Sequence, residues 1–346
     1  MTPEDAAGGD DETVVQRPGV QRPGMQRPGV QRPGRAPRRG GRGKALAVAG
    51  GGLVALAIAV GAFLALRPRP PRLAGEAAIF HHVPKRFTVF RFRPDPRILV
   101  IDCPGLHQQG LMFDRIAALI EKAGVPKDRV LSEAQFAAVL ARTHQTIGTY
   151  YYGNDYDAAA LRRFYRLARA EGIGLTAQET RLRRIIRRAG FLAQGATGAV
   201  ISLPRAGPGR RVGLRARAVI LRHELSHGAY YTNAAYRRFV ARFVGHDMTA
   251  AERQDFVAFL GRQGYDTGEH WLMVNETQAY LVFTPDREFF RASAVGLTPA
   301  TVDALRRTFI ASMPDFWLRR LATAPLPGTG SGGAAPKPGG HAVAAG

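Results

Sequence analysis

The seven residues from Arg222 to Gly228 read Arg-His-Glu-Leu-Ser-His-Gly and hold the side chains best suited to chemistry. If this stretch is helical, His223 and His227 stand four positions apart and project from one face. Two imidazoles at that spacing can converge on one zinc ion, and Glu224 between them can handle a water bound to the ion. The spacing therefore predicts a metal site with a general base beside it.

The residues around this motif predict a buried helix over 214–229, with apolar side chains at Val219, Ile220, Leu221 and Leu225. Two histidines and a carboxylate inside an apolar helix need partners for their polar atoms, and a metal ion supplies them. The alternative interpretation is a pair of hydrogen-bonded core histidines beside a salt-bridged glutamate.

A second apolar segment, Leu272 to Val282, carries the pair Asn275-Glu276. In the His-Glu-x-x-His helix and this Asn-Glu segment, the sequence resembles the zincin metallopeptidases. The gluzincin branch of that superfamily places a downstream glutamate, often within Asn-Glu, on a second helix. The resemblance implies a zincin-like fold, one Zn²⁺ ion held by His223, His227 and Glu276, and Glu224 as general base.

The other zincin branches differ in their third ligand. The metzincin pattern continues His-x-x-Gly-x-x-His after the second histidine. Tyr230 stands at the glycine position and Asn233 at the final histidine position here, which excludes that branch. An aspartate ligand would instead resemble the aspzincins. The rival third ligands are therefore three residues of the preceding loop, Asp266, Glu269 and His270.

Three tyrosines lie close to these motifs in the sequence. Tyr280 stands four residues after Glu276, where thermolysin-like enzymes carry an aspartate that orients a zinc histidine. Its hydroxyl is predicted to orient a histidine in the same way or to stabilise an oxyanion. Tyr230 and Tyr231 are interpreted as packing or rim residues.

The expected fold class is α+β and mostly helical, with the catalytic domain over 75–323. Strands are predicted at 97–102 and 198–204, and Pro204 favours a sheet edge, where the second strand would pair with an extended substrate. Further helices are predicted at 109–123, 131–142, 157–172, 177–189, 234–244 and 249–262.

Two other patterns have competing interpretations. The aromatic stretch Tyr150–Tyr156 is interpreted as loop packing, with a cleft lining as the alternative. Arginines at i, i+3 and i+7 give the 177–189 helix a basic face, interpreted as a solvated surface, with an anion site as the alternative.

The composition is strongly basic, with 49 Lys and Arg against 27 Asp and Glu and a net charge of +22. This balance predicts attraction to anionic surfaces such as lipid headgroups, nucleic acid or acidic polymers. The lone Cys103 excludes an intrachain disulfide and a cysteine-based metal site, so zinc must be held by histidines and carboxylates.

The first 74 residues are predicted to be an arm, an anchor and a linker. Residues 1–44 include repeats of Val-Gln-Arg-Pro-Gly and are expected to be disordered. Residues 45–66 carry no charge over 22 residues, and a helix of that length spans about 33 Å, enough for a membrane. A buried core helix and a cleaved signal peptide are the alternatives. Residues 67–74 are a Pro/Arg linker, and 324–346 a disordered tail.

The excess of positive charge before the apolar segment predicts a single-pass protein of the bacterial inner membrane, with a cytoplasmic N-terminus and a periplasmic catalytic domain. The predicted function is a membrane-anchored zinc metallopeptidase acting on a peptide or protein. The alternative is a non-catalytic envelope protein with a structural or degenerate zinc site. Nucleic-acid binding by residues 15–44 is a weaker third possibility.

Overall fold

The computed structural model of the protein describes residues 70–328, so the predicted arm (1–44) and transmembrane helix (45–66) lie outside the described residues. None of the helices within 70–328 is long and apolar enough to cross a membrane. Residues 70–328 belong to one compact unit, which contains every element described below.

A mixed five-stranded sheet lies at the centre of this unit, with strand order β1-β2-β3-β5-β4. The β1–β2 and β3–β5 pairs are parallel, whereas the β2–β3 and β4–β5 pairs are antiparallel. The strands are β1 Arg72–Ala74, β2 Thr88–Phe92, β3 Ile98–Cys103, β4 Asn154–Asp157 and β5 Ala199–Pro204. Together with the helices this sheet confirms the predicted α+β class.

The prediction that 198–204 forms the sheet edge is wrong. Strand β5 is buried throughout and pairs with β3 on one side and β4 on the other. A continuous β-branched and apolar run is typical of such an interior strand. Pro204 is tolerated because it is the last residue of β5, and Arg205 donates the next backbone hydrogen bond to Cys103 at 2.9 Å. The edge next to β5 is β4, inside the stretch predicted to be a loop.

Eleven α-helices accompany the sheet in the described part of the chain, and the predicted helices are confirmed with ends shifted by a few residues. Ser132, Thr176 and Thr249 begin three of them with capping boxes, which satisfy free backbone N–H groups. The helices are α1 Glu76–Phe80, α2 Leu106–Ile120, α3 Glu133–Arg142, α4 Ala158–Ala170, α5 Ala177–Arg188, α6 Leu214–Thr232, α7 Ala234–Arg242, α8 Ala250–Arg262, α9 His270–Phe283, α10 Pro299–Ser312 and α11 Trp317–Thr323.

The alternation of side chains along β3 separates two hydrophobic clusters. Leu99 and Ile101 pack with the helices between β3 and β5, while Ile98 and Val100 pack on the opposite face, where Leu221 of α6 lies. A third cluster joins the end of α6 to the helices that follow it. Helix α6 is therefore held between the sheet and the C-terminal helices, which explains why its polar residues are buried.

Arg217, in the first half of α6, connects this helix to the sheet through a buried ion pair. The guanidinium is almost fully buried and forms bonds of 2.8 and 2.9 Å with both carboxylate oxygens of Asp102, at the end of β3. It also donates to four backbone carbonyls, those of Ile79, Phe80, His82 and Pro204. Every charge and donor of this buried pair is thus satisfied, which is the condition for such a pair to be tolerated.

The predicted domain boundaries at 75 and 323 lie slightly inside the folded unit. Residues 72–74, assigned to the linker, form β1 and pair with β2. At the other end, Arg222 donates to the carbonyls of Ala324 and Pro325 at 2.6 and 2.9 Å. Residues 329–346 of the predicted tail lie outside the described residues.

Candidate metal centre

Two packed helices bring the predicted ligands together. Helix α6 carries His223 and His227, and helix α9 carries Glu276, with one ligand atom from each within 4.8 Å of the other two. Nε2 of His223 is 3.7 Å from Oε2 of Glu276, and Nε2 of His227 is 3.7 Å from Oε1. Ligands of a tetrahedral zinc ion lie about 3.4 Å apart, because each bond is about 2.1 Å long. The triad could hold a metal ion.

The unpaired polar atoms of the triad fit this interpretation. His227 is fully buried, and neither of its ring nitrogens has a hydrogen-bond partner in the described part of the protein. Oε2 of Glu276 is equally buried and unpaired. Such groups cost about 1–3 kcal/mol each when left unsatisfied. A divalent cation would satisfy them together, and imidazole plus carboxylate is a ligand set that zinc accepts.

Burial also sets the protonation states of the ligands. It lowers the pKa of His223 to about 4, so this imidazole is neutral at physiological pH, as ligation requires. It raises the pKa of Glu276 to about 7, an effect that His227 opposes and Asp155 reinforces. A bound cation would favour the carboxylate form of Glu276.

Glu224 lies beside the triad and is 5% exposed. Its Oε2 has no hydrogen-bond partner among the described residues. Burial raises the pKa of Glu224 well above its usual range, and the nearby carboxylates of Asp155 and Glu276 add to this effect. The residue just before β4, Gly153, packs directly on the carboxylate, since a Cβ at that position would lie 2.0 Å from Oε1. The predicted general base is therefore held between α6 and the edge strand.

For the predicted peptidase, we expect Gly153→Ala to lower peptide hydrolysis without removing the predicted metal ion. The added methyl group would displace the Glu224 carboxylate, and a displacement of about 1 Å in a catalytic group can reduce the rate about 100-fold. The measurement is kcat alongside zinc content, with Gly174→Ala as the control because a Cβ there meets nothing within 4 Å. Full activity in Gly153→Ala would show that the Glu224 position does not matter.

Asp155 is a site residue that the sequence analysis missed. This β4 side chain is almost completely buried, with Oδ2 3.7 Å from Nε2 of His227. Its Oδ1 accepts a hydrogen bond of 2.7 Å from the hydroxyl of Tyr231, which in turn accepts from Asn275 at 3.3 Å. Tyr231 thus does more than the rim packing expected of it. The only sequence signal for Asp155 was a polar pair, Asn154-Asp155, inside an aromatic stretch.

Thr284, just after α9, makes the hydrogen bond to a histidine that was predicted for Tyr280. Its Oγ1 lies 2.9 Å from Nδ1 of His223 and donates its own proton to the carbonyl of Ala279 at 3.0 Å. The hydroxyl therefore accepts from Nδ1–H of His223, which leaves the lone pair of the neutral ring on Nε2, facing Glu276. The oxygen of Thr284 selects the tautomer that can bind a metal.

Tyr280 instead contributes its ring. The ring packs edge-on against His223, with centroids 4.9 Å apart, and against Phe259 at 5.0 Å. The orienting hydrogen bond predicted for the Tyr280 hydroxyl comes from Thr284 instead. Thr284 lies just after α9, and its hydroxyl reaches Nδ1 of His223. The oxyanion role of Tyr280 stays a prediction.

We expect Thr284→Val to weaken zinc binding about 10–100-fold, the range found when a metal-binding histidine loses its outer hydrogen-bond partner. Valine keeps the volume of threonine but cannot accept from His223. Thr284→Ser retains the hydroxyl and is the matched control. The measurement is zinc affinity by competition with a chelator. Equal affinities for the valine and serine variants would contradict the tautomer argument.

The rival third ligands have other surroundings. Asp266 is 3.8 Å from the ammonium of Lys127, and Glu269 accepts from the indole N–H of Trp271 at 3.0 Å. His270 begins α9, and neither it nor the two acids joins the triad. Of the four candidates, Glu276 is the one placed with the two histidines.

The triad is largely closed to solvent. The side chain of His223 is 12% exposed, whereas those of His227 and Glu276 are 0% and 2% exposed.

Comparison of the chain with known protein families, with curated proteins and with solved structures finds no match. The interpretation of this centre therefore rests on its own geometry.

Proposed function

We propose that this protein is a membrane-anchored zinc metallopeptidase of the gluzincin type. His223, His227 and Glu276 hold one zinc ion, and Glu224 acts as general base. The observation that carries the proposal is the convergence of two histidines and a glutamate beside a buried carboxylate, with polar atoms of His227 and Glu276 that have no partner among the described residues. A purely structural metal site has no need for a second carboxylate with an unpaired oxygen beside its three ligands.

Zinc, when bound, polarises the scissile carbonyl and makes the attacking water more acidic. Glu224 takes a proton from that water and passes it to the leaving amine. Thr284 holds His223 in its ligating tautomer, and Tyr231 with Asn275 holds Asp155 beside His227. Tyr280 is the candidate donor to the oxyanion.

An extended peptide substrate would lie along β4. Among the described residues this strand pairs with β5 alone, and a substrate strand added on its other side would extend the sheet. Gly153 and Asp155 bring this edge next to Glu224 and His227. The pairing with substrate that was predicted for residues 198–204 is therefore assigned to β4. Residues 45–66 would anchor the chain, with the catalytic domain on the periplasmic side.

The proposal is tested on residues 69–346, the compact unit described above. We expect about one zinc per chain by mass spectrometry and cleavage of unstructured peptides at neutral pH. A chelator should abolish cleavage and added zinc should restore it. A folded preparation that binds little zinc, or that cleaves equally well after chelation, would refute the proposal.

The almost complete burial of the triad favours a second candidate, a non-catalytic envelope protein with a structural zinc site. Structural zinc contributes directly to folding stability, because the ligands are scattered in the unfolded chain. This candidate predicts that zinc raises the melting temperature while no peptide is cleaved. The peptidase proposal predicts both stabilisation and cleavage, so one preparation separates the two.

A further inference from the structure

Helices α4 and α5 form a basic face remote in sequence from the metal-binding motif. Residues 158–188 contain nine arginines and two acids, Glu171 and Glu179. Glu179 is buried and bound to Arg115, and Glu171 accepts a hydrogen bond from the backbone N–H of Val130 at 3.1 Å. Neither acid forms an ion pair with an arginine of the face, and no other acid within residues 70–328 does so, so in this part of the chain the positive charge of the face is uncompensated.

An open surface cavity of about 430 Å³ lies in this face. Three exposed arginines line it, Arg166, Arg169 and Arg183, and none of their guanidinium groups forms a salt bridge or hydrogen bond with another residue of 70–328. Its floor includes Tyr165, whose hydroxyl donates to the carbonyl of Glu179 at 2.8 Å. The guanidinium of Arg183 lies 6.0 Å from the ring centroid of Tyr165. The cavity therefore combines three guanidinium groups that have no acidic partner with a tyrosine side chain held in place by its hydrogen bond.

We propose that this cavity binds the phosphate of an anionic phospholipid headgroup and thereby docks the domain on a membrane surface. Guanidinium groups match phosphate oxygens with paired hydrogen bonds, and they lose less hydration than ammonium groups when they do so. The volume falls within the roughly 300–1,000 Å³ typical of ligand pockets. Ala170 and Leu192 supply apolar wall for the glycerol portion.

The surroundings of the cavity favour a lipid surface over a nucleic acid. Helix α5 carries three further exposed arginines, Arg184, Arg187 and Arg188, which extend the positive surface beyond the cavity. Non-specific single-strand binding uses aromatic rings on which bases stack. The one aromatic ring of the cavity, that of Tyr165, is buried and unavailable for stacking.

The test compares binding of residues 69–346 to sedimented vesicles of phosphatidylcholine alone and of phosphatidylcholine mixed with phosphatidylglycerol. We expect binding to the mixed vesicles and not to the neutral ones. The Arg166→Gln/Arg169→Gln/Arg183→Gln variant should bind the mixed vesicles on the order of 100-fold more weakly, since each basic residue near an anionic surface contributes about fivefold.

The matched control is Arg237→Gln/Arg238→Gln/Arg242→Gln, which removes three exposed charges from α7 and leaves the cavity intact. It should lose no more than about fivefold in vesicle binding. Equal losses in both variants would show that net charge, and not the cavity, drives binding. Tighter cavity-dependent binding to a DNA oligonucleotide than to the mixed vesicles would also overturn the proposal. All variants must keep the wild-type melting temperature, which exposed Arg→Gln changes should not alter.

Discussion

Glu224→Gln is expected to keep its zinc and to lose peptide hydrolysis by about 10²–10⁴-fold in kcat/KM. That range is what general base catalysis contributes when the base is in place. Glutamine has the size and shape of glutamate but cannot accept a proton from the attacking water. Because Glu224 is not one of the three ligands, the affinity for zinc should change little.

Zinc content and the melting temperature are the internal controls for this variant. Glu224→Asp is the second one, since it keeps a carboxylate but withdraws it by one methylene from Gly153 and the triad. We expect Glu224→Asp to fall between the wild type and Glu224→Gln. A Glu224→Gln protein with full metal and full activity would remove the assigned base and the mechanism with it.

The second large effect is expected at the third ligand. Glu276→Gln should weaken zinc binding by about 1,000-fold, because structural zinc in zinc-finger peptides contributes about 10–16 kcal/mol and one anionic ligand supplies a substantial share of such a total. The change preserves side-chain volume within α9, where Glu276 is 1% exposed. Zinc affinity is measured by competition with a chelator of known affinity.

Glu269→Gln provides the matched control. It removes the same charge seven positions earlier, from a rival ligand whose partner is the indole of Trp271. We expect wild-type zinc affinity in this variant. If Glu276→Gln binds zinc normally while Glu269→Gln does not, the ligand set must be redrawn around the loop that precedes α9.

These two variants also distinguish the competing functions. A structural zinc site predicts that Glu276→Gln lowers the melting temperature and that Glu224→Gln changes nothing measurable. A peptidase predicts that Glu224→Gln abolishes cleavage at constant stability. The unpaired Oε2 of Glu224, buried beside the triad, favours the second outcome.

Helical geometry made the core of the site predictable from the sequence. His223, Glu224 and His227 are local neighbours, and one turn of helix brings the two histidines to a common face whatever surrounds them. Glu276 required more, since it is 49 positions from His227, and it was assigned through the resemblance of the Asn-Glu segment. The helices and the α+β class also followed from local patterns of capping and apolar spacing.

The partners of these residues depended on packing between distant segments. Thr284 meets His223 across 61 positions, and Tyr231 meets Asp155 across 76. No spacing rule connects such residues, because their proximity results from how α6, α9 and β4 pack on a common core.

The position of each strand in the sheet was likewise a tertiary outcome. An apolar strand ended by proline is compatible with an edge or an interior position, and β4 became the edge because it pairs with β5 on a single side. The sequence by itself therefore specified which side chains could bind a metal and activate water. Only the tertiary structure decided which strand faces them, which hydroxyl selects the tautomer of His223, and how far solvent reaches the centre, since these depend on long-range contacts.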